Sequence, residues 1–529
     1  MKKRIIAIFF LSVNFISLPA LAENTQHHGA SSSANNHVFS SLNNLRKIPK
    51  ITNKSSLTDD GTIAAGNSQI EGTTDLPTKG PLYLPVDLNV PGQSFVSSGP
   101  YIGIPLEFTG GHLIVNSPSI NEDVILLNVN KNITQRLSAL GRPIGKALGS
   151  HILLSGSIEG QALNKNIVGM KSTSDIDLST VNLDAFIMGP SQWTSAFFEF
   201  SYDNNIGSQT GSFSSNNRML NSRVRVSRAF IILGDFMRSP FYASFGQMNV
   251  PFGVYSTTMS SSPLTKILGK TLSRAIVVGY KSPGKNSLLV SGYAFNGPSH
   301  VNASSAINNG GLNINYSFVQ DRYTAKIGGG VIANIADSIG MQFTGNNQNN
   351  PPMFGGFGGP NETYVIDGVS SNPSFPVVSV ATGNENISHM VPAVDINAKL
   401  GLGAHLQMIV EYLFATTSFS HKDLKFNDSG AQPQALNMEI AYNLPWFENP
   451  TSIGASYQMS RDALAIGLPA SRYSTTANTS FWKNTLQTVE FRRDVNYGVS
   501  DTSSGSMIQG PSGNSKSANV VTLKFDYFF

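Results

Sequence analysis

Ten charged residues stand at alternate positions of apolar segments, where a β-strand would direct them all to one face. They carry both signs and are Glu159, Glu199, Arg223, Arg225, Lys326, Lys399, Glu411, Glu490, Arg492 and Asp494. Two roles suit such a face. The charges either brace the wall of a water-filled space, or they set a field across it that selects a polar, partly charged solute. The mixed signs disfavour a strongly anion-selective pore.

Residue patterns for catalysis do not rise above background. The chain has no P-loop, no G-x-S-x-G, no H-E-x-x-H and no cysteine, which excludes thiol nucleophiles, disulfides and Cys metal sites. A barrel phospholipase would need Ser and His on one face, but His151, His389 and His405 have no partner at a recognisable spacing. We therefore expect no enzyme, no cofactor and no metal site.

The composition narrows the class of fold that could position these charges. Charged residues make up 13% of the chain, against roughly 25% in soluble domains, and 40% are hydrophobic. The mean hydropathy of −0.07 excludes a helical membrane protein. Removing the three cations of the N-terminal signal from the formal charge of +4 leaves +1, so no nucleic-acid partner is expected.

The N-terminus has the order of a secretory signal peptide. Lys2, Lys3 and Arg4 precede an apolar run, and Ala20 and Ala22 form a small-x-small cleavage site. A retained membrane anchor is the alternative, but polar residues interrupt the run. The sequence therefore predicts a signal peptide over 1–22, cleaved after Ala22.

Two further segments precede the barrel pattern. Residues 23–80 are rich in Ser, Asn and Thr and are predicted to be flexible, because they cannot bury a core. Residues 81–148 are predicted to form a small periplasmic region. Within it, Ser119 and Glu122 have the spacing of a helix capping box, followed by an apolar stripe, which predicts a helix near 119–140.

From 149 to 529 the apolar residues recur at every second position. Leu312, Ile314, Tyr316 and Phe318 alternate with polar residues, and the pattern returns in segments of 9 to 13 residues. A soluble β-sandwich would alternate in the same way. The segment length, the aromatic residues near strand ends and the charged polar faces favour a membrane barrel instead. The sequence therefore predicts an all-β fold, a transmembrane antiparallel barrel of about 16 strands (14–18).

The end of the chain and one long segment complete this pattern. The last residues alternate fully and resemble the C-terminal signal that barrel-assembly machinery recognises: Val521, Leu523, Phe525, Tyr527 and Phe529. The Gly/Pro/Asn-rich segment 337–386 cannot form a strand, and we assign it to the outer face. It is either a surface loop or a constriction folded into the barrel.

Residues 99–103 and 112–123, together with 153–160, resemble the siderophore porins of intracellular Gram-negative pathogens, which are TonB-independent outer-membrane barrels. The resemblance covers the layout of the mature chain, and its specific motifs lie between 99 and 161. It implies an outer-membrane location and passive uptake of a ferric siderophore. The helical stretch is shorter than the long heptad run of that family.

Two classes of function follow from these patterns. The first is an outer-membrane porin or receptor that passes a small polar solute, with a ferric siderophore as the favoured cargo. The second is a surface scaffold or adhesin whose outer loops bind. Outer-membrane lipid and the assembly machinery are the expected partners in both cases.

Overall fold

A computed structural model describes residues 107–109, 112–114, 120–139, 152–189, 192–203, 223–301, 306–320, 322–342, 385–403, 405–446, 449–482, 485–505 and 509–529. The predicted signal peptide with Ala20 and Ala22, the predicted flexible segment and most of the segment 337–386 lie outside these residues.

The described residues are mainly strands. In chain order they are β1 (Glu107–Thr109), β2 (His112–Ile114), β3 (Ile152–Ile167), β4 (Thr173–Met188), β5 (Thr194–Asp203), β6 (Arg223–Gly234), β7 (Phe241–Asn249), β8 (Leu272–Lys281), β9 (Ser287–Phe295), β10 (Ser299–Val301), β11 (Asn309–Val319), β12 (Tyr323–Ile332), β13 (Glu385–Ile387), β14 (Ala393–Leu402), β15 (Leu406–Ala415), β16 (Leu424–Phe426), β17 (Ser429–Gly430), β18 (Gln434–Trp446), β19 (Asn449–Arg461), β20 (Ser471–Thr479), β21 (Thr485–Val495), β22 (Thr502–Gly505), β23 (Gln509–Ser512) and β24 (Ser517–Phe528).

The described residues contain three α-helices in addition to the strands. They are α1 (Glu122–Ala139), α2 (Leu264–Gly269) and α3 (Ile339–Gln342), and 3-10 turns occur at Ile335–Asp337 and Leu464–Ile466. The helix predicted near 119–140 is present as α1. Among the residues that the structure describes, no helix is long and apolar enough to cross a membrane.

Sixteen of the strands close into one antiparallel barrel, which confirms the predicted fold. The order around the wall is β3-β4-β5-β6-β7-β8-β9-β11-β12-β14-β15-β18-β19-β20-β21-β24, and β24 pairs with β3 to close it. Gly156 and Phe529 exchange backbone hydrogen bonds of 2.8 and 3.0 Å at this junction. A Cβ on Gly156 would lie 2.5 Å from the backbone carbonyl oxygen of Asn182, so this position favours glycine.

The wall has an apolar outer face and a polar inner face. On β11, Leu312 and Ile314 are 54% and 50% exposed, whereas Asn313 and Asn315 are 0% and 1% exposed. A soluble sandwich would bury the apolar set, so this inversion excludes that alternative and suits a lipid surround. The predicted C-terminal alternation follows it, because these residues of the last strand and the chain end all face outward: Val521, Leu523, Phe525, Tyr527 and Phe529.

The two ends of the barrel differ in the length of their connections. One end carries the chain terminus and the short turns 189–193, 235–240, 282–286, 320–322, 403–405, 447–448 and 480–484. The other carries longer connections, including 250–271, 333–392 and 496–516. Short turns mark the periplasmic end of bacterial barrels, so the long connections form the outer end. The described ends of the segment 337–386, up to Gln342 and from Glu385, belong to the connection at this outer end, and the residues between them lie outside the described part of the chain.

Candidate solute path in the barrel lumen

The connection between β7 and β8, residues 250–271, folds into the barrel, and we name it the inward segment. Val250 N–H donates to the carbonyl of Thr271 at 3.0 Å, so the two ends of the segment are pinned together. Gly253 (φ +74°) and Tyr255 (φ +56°) take left-handed conformations that reverse the chain. Tyr255 is fully buried, and Pro263 precedes the short helix α2. The turn is therefore held by packing despite its strained backbone.

Carboxylates of the barrel wall hold the inward segment by accepting its donors. Glu411 on β15 accepts the backbone N–H groups of Val254 and Tyr255 at 2.7 and 2.9 Å. Its second oxygen accepts the hydroxyl of Thr265 at 2.5 Å. Glu439 on β18 accepts the backbone N–H of Thr258 at 2.8 Å and the Thr257 hydroxyl at 2.5 Å.

Further around the wall, β19 to β21 continue the same attachment. The Glu490 carboxylate accepts Ser261 N–H at 2.9 Å, and the Gln458 amide oxygen accepts Leu264 N–H at 2.9 Å. In the opposite sense, Arg472 donates to the carbonyl of Ser262 and Asn478 donates to that of Thr258. The inward segment thus contacts the inner wall from β15 to β21 and narrows the lumen there.

The helix α1 lies against a different part of the inner wall. The guanidinium of Arg228, on β6, bridges Glu122 at the start of α1 and Glu199 on β5, and all three side chains are buried. Asp184 on β4 lies directly opposite Glu199 and is also buried. One guanidinium therefore faces three carboxyl groups, and Arg228 additionally lies over the Phe197 ring at 5.3 Å.

Apolar packing and one further hydrogen bond complete the docking of α1. Ser244 on β7 donates to the Asp123 carboxylate at 2.6 Å. Leu127 is 1% exposed and approaches the β6 backbone closely enough that a Cβ on Gly234 would lie 3.4 Å from its methyl group. Lys281, at the periplasmic end of β8, donates to Asn128 at 3.3 Å. The N-terminal residues of α1 therefore lie deeper in the lumen than Asn128, which is near the periplasmic end.

Ion pairs also join strands within the wall itself. Lys524 on β24 contacts the Glu159 carboxylate of β3 at 2.6 Å, across the closing pair of strands, and the Asp526 carboxylate of its own strand at 3.5 Å. At the outer end, Asp494 lies 2.7 Å from Arg472 and 3.2 Å from Arg492. These clusters hold strands in register around the lumen.

The predicted lumen residues therefore fall into three groups. Several are engaged by neighbouring groups: Glu159, Glu199, Glu411, Glu490, Arg492 and Asp494. Arg225 lies exposed toward the outer end of β6; Arg223 lies beside it in sequence, and its side chain is outside the described residues. Lys326 and Lys399 face the lumen with partly exposed side chains.

Sequence reasoning missed the inward segment and the Arg228 cluster. A signal for the first exists: residues 251–263 break the two-residue alternation with two prolines, a glycine and a run of Ser and Thr. No such signal marks Arg228, because its partners lie on other elements. In the described part of the chain, no group of His, Asp or Glu side chains is arranged to hold a metal ion.

Relatives of known family are similar to this chain over most of its length. No family model matches the chain. A UPF0422 protein of Legionella pneumophila (strain Lens) is 33% identical over 444 residues, covering 82% of this chain and 76% of the relative. A UPF0422 protein of Coxiella burnetii (strain RSA 493 / Nine Mile phase I) is 32% identical over 442 residues, covering 83% and 84%. The chain belongs to the UPF0422 family.

Two solved structures match this UPF0422 chain at low sequence identity and low TM-score. The outer membrane channel DcaP of Acinetobacter baumannii has 12% sequence identity and a TM-score of 0.40, and the match covers 72% of this chain and 97% of that chain. An anion-selective porin from Comamonas acidovorans has 10% identity and a TM-score of 0.42, covering 72% and 99%. At these identities the similarity concerns the fold alone.

Proposed function

We propose that this chain is an outer-membrane channel through which a small polar solute passes passively, with a ferric siderophore as the favoured cargo. The observation that carries the proposal is the inward segment: a closed, polar-lined barrel is narrowed from within by residues 250–271. The exposed apolar outer face supports the membrane location. The choice of cargo rests on the resemblance of residues 99–161 to the siderophore porins.

The narrowing gives a passive channel its selectivity. A solute that enters from the outer end meets Arg225 first and then the space between the inward segment and the wall. Binding there must be weak enough for release, because no energised step drives the solute through. On the periplasmic side, α1 narrows the lumen again along β4 to β8. The two obstructions contact different arcs of the wall, β4 to β8 for α1 and β15 to β21 for the inward segment.

The cargo is tested by uptake of labelled ferric siderophore in iron-starved cells that lack the gene. We expect a deficit that the restored gene rescues and that a gene encoding Arg225→Ala rescues less well. The control is Arg238→Ala, in the turn 235–240, whose side chain is 60% exposed. Equal uptake with and without the gene would remove the siderophore from the proposal and leave a general channel.

A surface scaffold is the second candidate, and the filled lumen favours it. Asn437, Gln458 and Asn478 face the lumen and are 0% exposed beneath the inward segment. Conductance of the purified barrel in a planar bilayer separates the two candidates. Stable channels support passage, whereas a silent barrel, correctly folded by its heat-modifiable migration, supports the scaffold.

A further inference from the structure

Two lysines stand side by side on the inner wall of β12 and β14. Lys326 and Lys399 are direct register partners, and both face the lumen, since Ile327 and Ile396 on the same strands are 55% exposed on the outer face. Like charges directly opposite each other destabilise a pair of strands. The pair thus brings two positive charges together on the inner wall.

The two lysines line a cavity between the wall and the inward segment. The other lining groups include Val254, Tyr255 and Ser256 of that segment, with Asn397 and Ile409 on the wall. A group that passes beside the inward segment would thus meet two ammonium groups on one side and the chain reversal at Tyr255 on the other. The lysines lie on the periplasmic side of this reversal, because β12 begins and β14 ends at that end of the barrel.

The inward carboxyl groups of the same arc are directed to other donors. Both oxygens of Glu411 accept groups of the inward segment. Asp395 accepts the side-chain amide of Asn397 at 2.6 Å. Lys326 and Lys399 are thus the cations that line the cavity. Glu411 lines it as well, and both of its oxygens are already occupied by donors of the inward segment.

A second observation, on the neighbouring strand β15 and outside the residues that line the cavity, points to a ligand beside the lysine pair. Gln407 on β15 is 1% exposed, and within the described residues neither its amide oxygen nor its amide nitrogen has a hydrogen-bond partner. Its register partner is Gly401, two positions from Lys399, so it is a diagonal neighbour of the lysine pair. Buried amides without partners are uncommon in native proteins, and a polar ligand group would satisfy this one.

We propose that Lys326, Lys399 and Gln407 form a binding site for an anionic oxygen group, a carboxylate or phosphate, carried by the passing solute. Two ammonium groups supply the charge, and the amide nitrogen supplies a directional donor. The delivery of the anion by a passing solute rests on the proposed channel function. The binding itself does not, since the site could bind an anion in a barrel that does not conduct. The wall as a whole carries both signs, so the resulting anion preference is modest.

Binding is tested without any transport, by thermal unfolding of the purified barrel in detergent with inorganic phosphate at constant ionic strength. We expect phosphate to raise the unfolding midpoint of the wild type, and not that of Lys326→Gln/Lys399→Gln. The midpoint without phosphate is measured for each protein, so that every phosphate effect is referred to that protein's own baseline. The matched control is Lys285→Gln, an exposed lysine in the turn 282–286, which should behave as the wild type.

Selectivity is measured on the same variants by reversal potentials in a potassium chloride gradient. We expect the chloride-to-potassium permeability ratio to fall roughly two- to five-fold in the double glutamine variant and to hold in Lys326→Arg/Lys399→Arg. An equal phosphate effect in wild type and double glutamine variant overturns the site and leaves the channel intact. A phosphate effect confined to proteins with both cations, in a barrel that never conducts, supports the site and overturns the channel.

Discussion

The helix α1 and the inward segment both occupy the lumen, but they are attached by different chemistry. The docking of α1 centres on Arg228, a single cation among carboxyl groups of β4, β5 and the helix itself. The inward segment is held mainly by carboxylates that accept neutral N–H and O–H donors, with Glu411 alone accepting three. Both also contribute side chains to one apolar cluster, including Leu127 of α1 and Phe252 of the segment.

Because their attachments differ, α1 and the inward segment should respond differently to the loss of one residue. A buried ion cluster is destabilised strongly when one member is removed, because the remaining charges are left uncompensated. A carboxylate that accepts several neutral donors loses stability in steps, one donor at a time. The inward segment is also joined to the wall at both ends, through β7 and β8. We therefore expect α1 to be the more easily released of the two.

The largest effect is expected for Arg228→Ala, which breaks the docking of α1. Removing the cation leaves Glu122, Glu199 and Asp184 buried together and should weaken docking by about 3–5 kcal/mol. Hydrogen exchange would show this as faster exchange of the α1 amides, while the exchange rates of amides in β15 to β21 stay unchanged. Arg238→Ala is the control. Unchanged protection of α1 would mean that apolar packing alone holds the helix.

A smaller effect is expected for Glu411, and it should be graded. Glu411→Ala leaves three buried donors without an acceptor, at about 1–3 kcal/mol for an orphaned group. Glu411→Gln keeps one oxygen for the backbone donors and should lie between alanine and wild type. Single-channel recordings should show larger or noisier conductance in the order wild type, glutamine, alanine. Identical traces for all three would show that Glu411 does not position the inward segment.

The smallest effect is a pH dependence outside the membrane. Asp337 accepts Ser299 N–H at 2.8 Å and the Asn309 amide at 2.7 Å, and burial raises the pKa of its carboxyl above the ordinary value of 3.8. A raised pKa means that the folded state holds the proton more tightly. This contribution to stability is present below pH 3.8 and is lost as the pH rises through the raised value.

Thermal unfolding from pH 3.5 upward should therefore show the wild-type midpoint falling slightly relative to Asp337→Asn. Asp337→Asn loses one hydrogen bond, so its unfolding midpoint should be lower at every pH. The midpoint should also depend less on pH, because the titrating carboxyl is absent. Asp428 supplies a control whose pH dependence has the opposite sign. Its ion pair with Lys425 lowers the pKa of its carboxyl, so its contribution to stability is lost as the pH falls. A wild-type curve parallel to that of Asp337→Asn would contradict the assignment.

The barrel could be predicted from the sequence because its pattern is local. On β11 the alternation of Leu312 and Ile314 with polar neighbours fixes both faces of a strand, whatever lies across the lumen. Repetition of the pattern to Phe529 then gave a strand number that the structure confirms. The helix α1 was equally visible, since its apolar stripe is a local signal.

The contents of the lumen could not be predicted in the same way, because they depend on distant contacts. The carboxylate of Glu411 meets Val254 and Tyr255 at sequence separations of 157 and 156 residues. From sequence alone this residue looks like a charge facing water. Arg228 presents the same difficulty, since its partner Glu122 lies 106 residues away. The sequence therefore predicts that such a charged residue faces the lumen, but not which groups it contacts there.

The pinned ends of the inward segment have a consequence for how such a barrel can diversify. The hydrogen bond from Val250 to Thr271 closes the neck of the segment at the point where β7 and β8 are already paired. The residues between can change in length and composition without shifting the register of either strand. New specificities can thus arise by rewriting one short stretch of gene, together with its few acceptors on the far wall, while the lipid-facing surface is inherited unchanged.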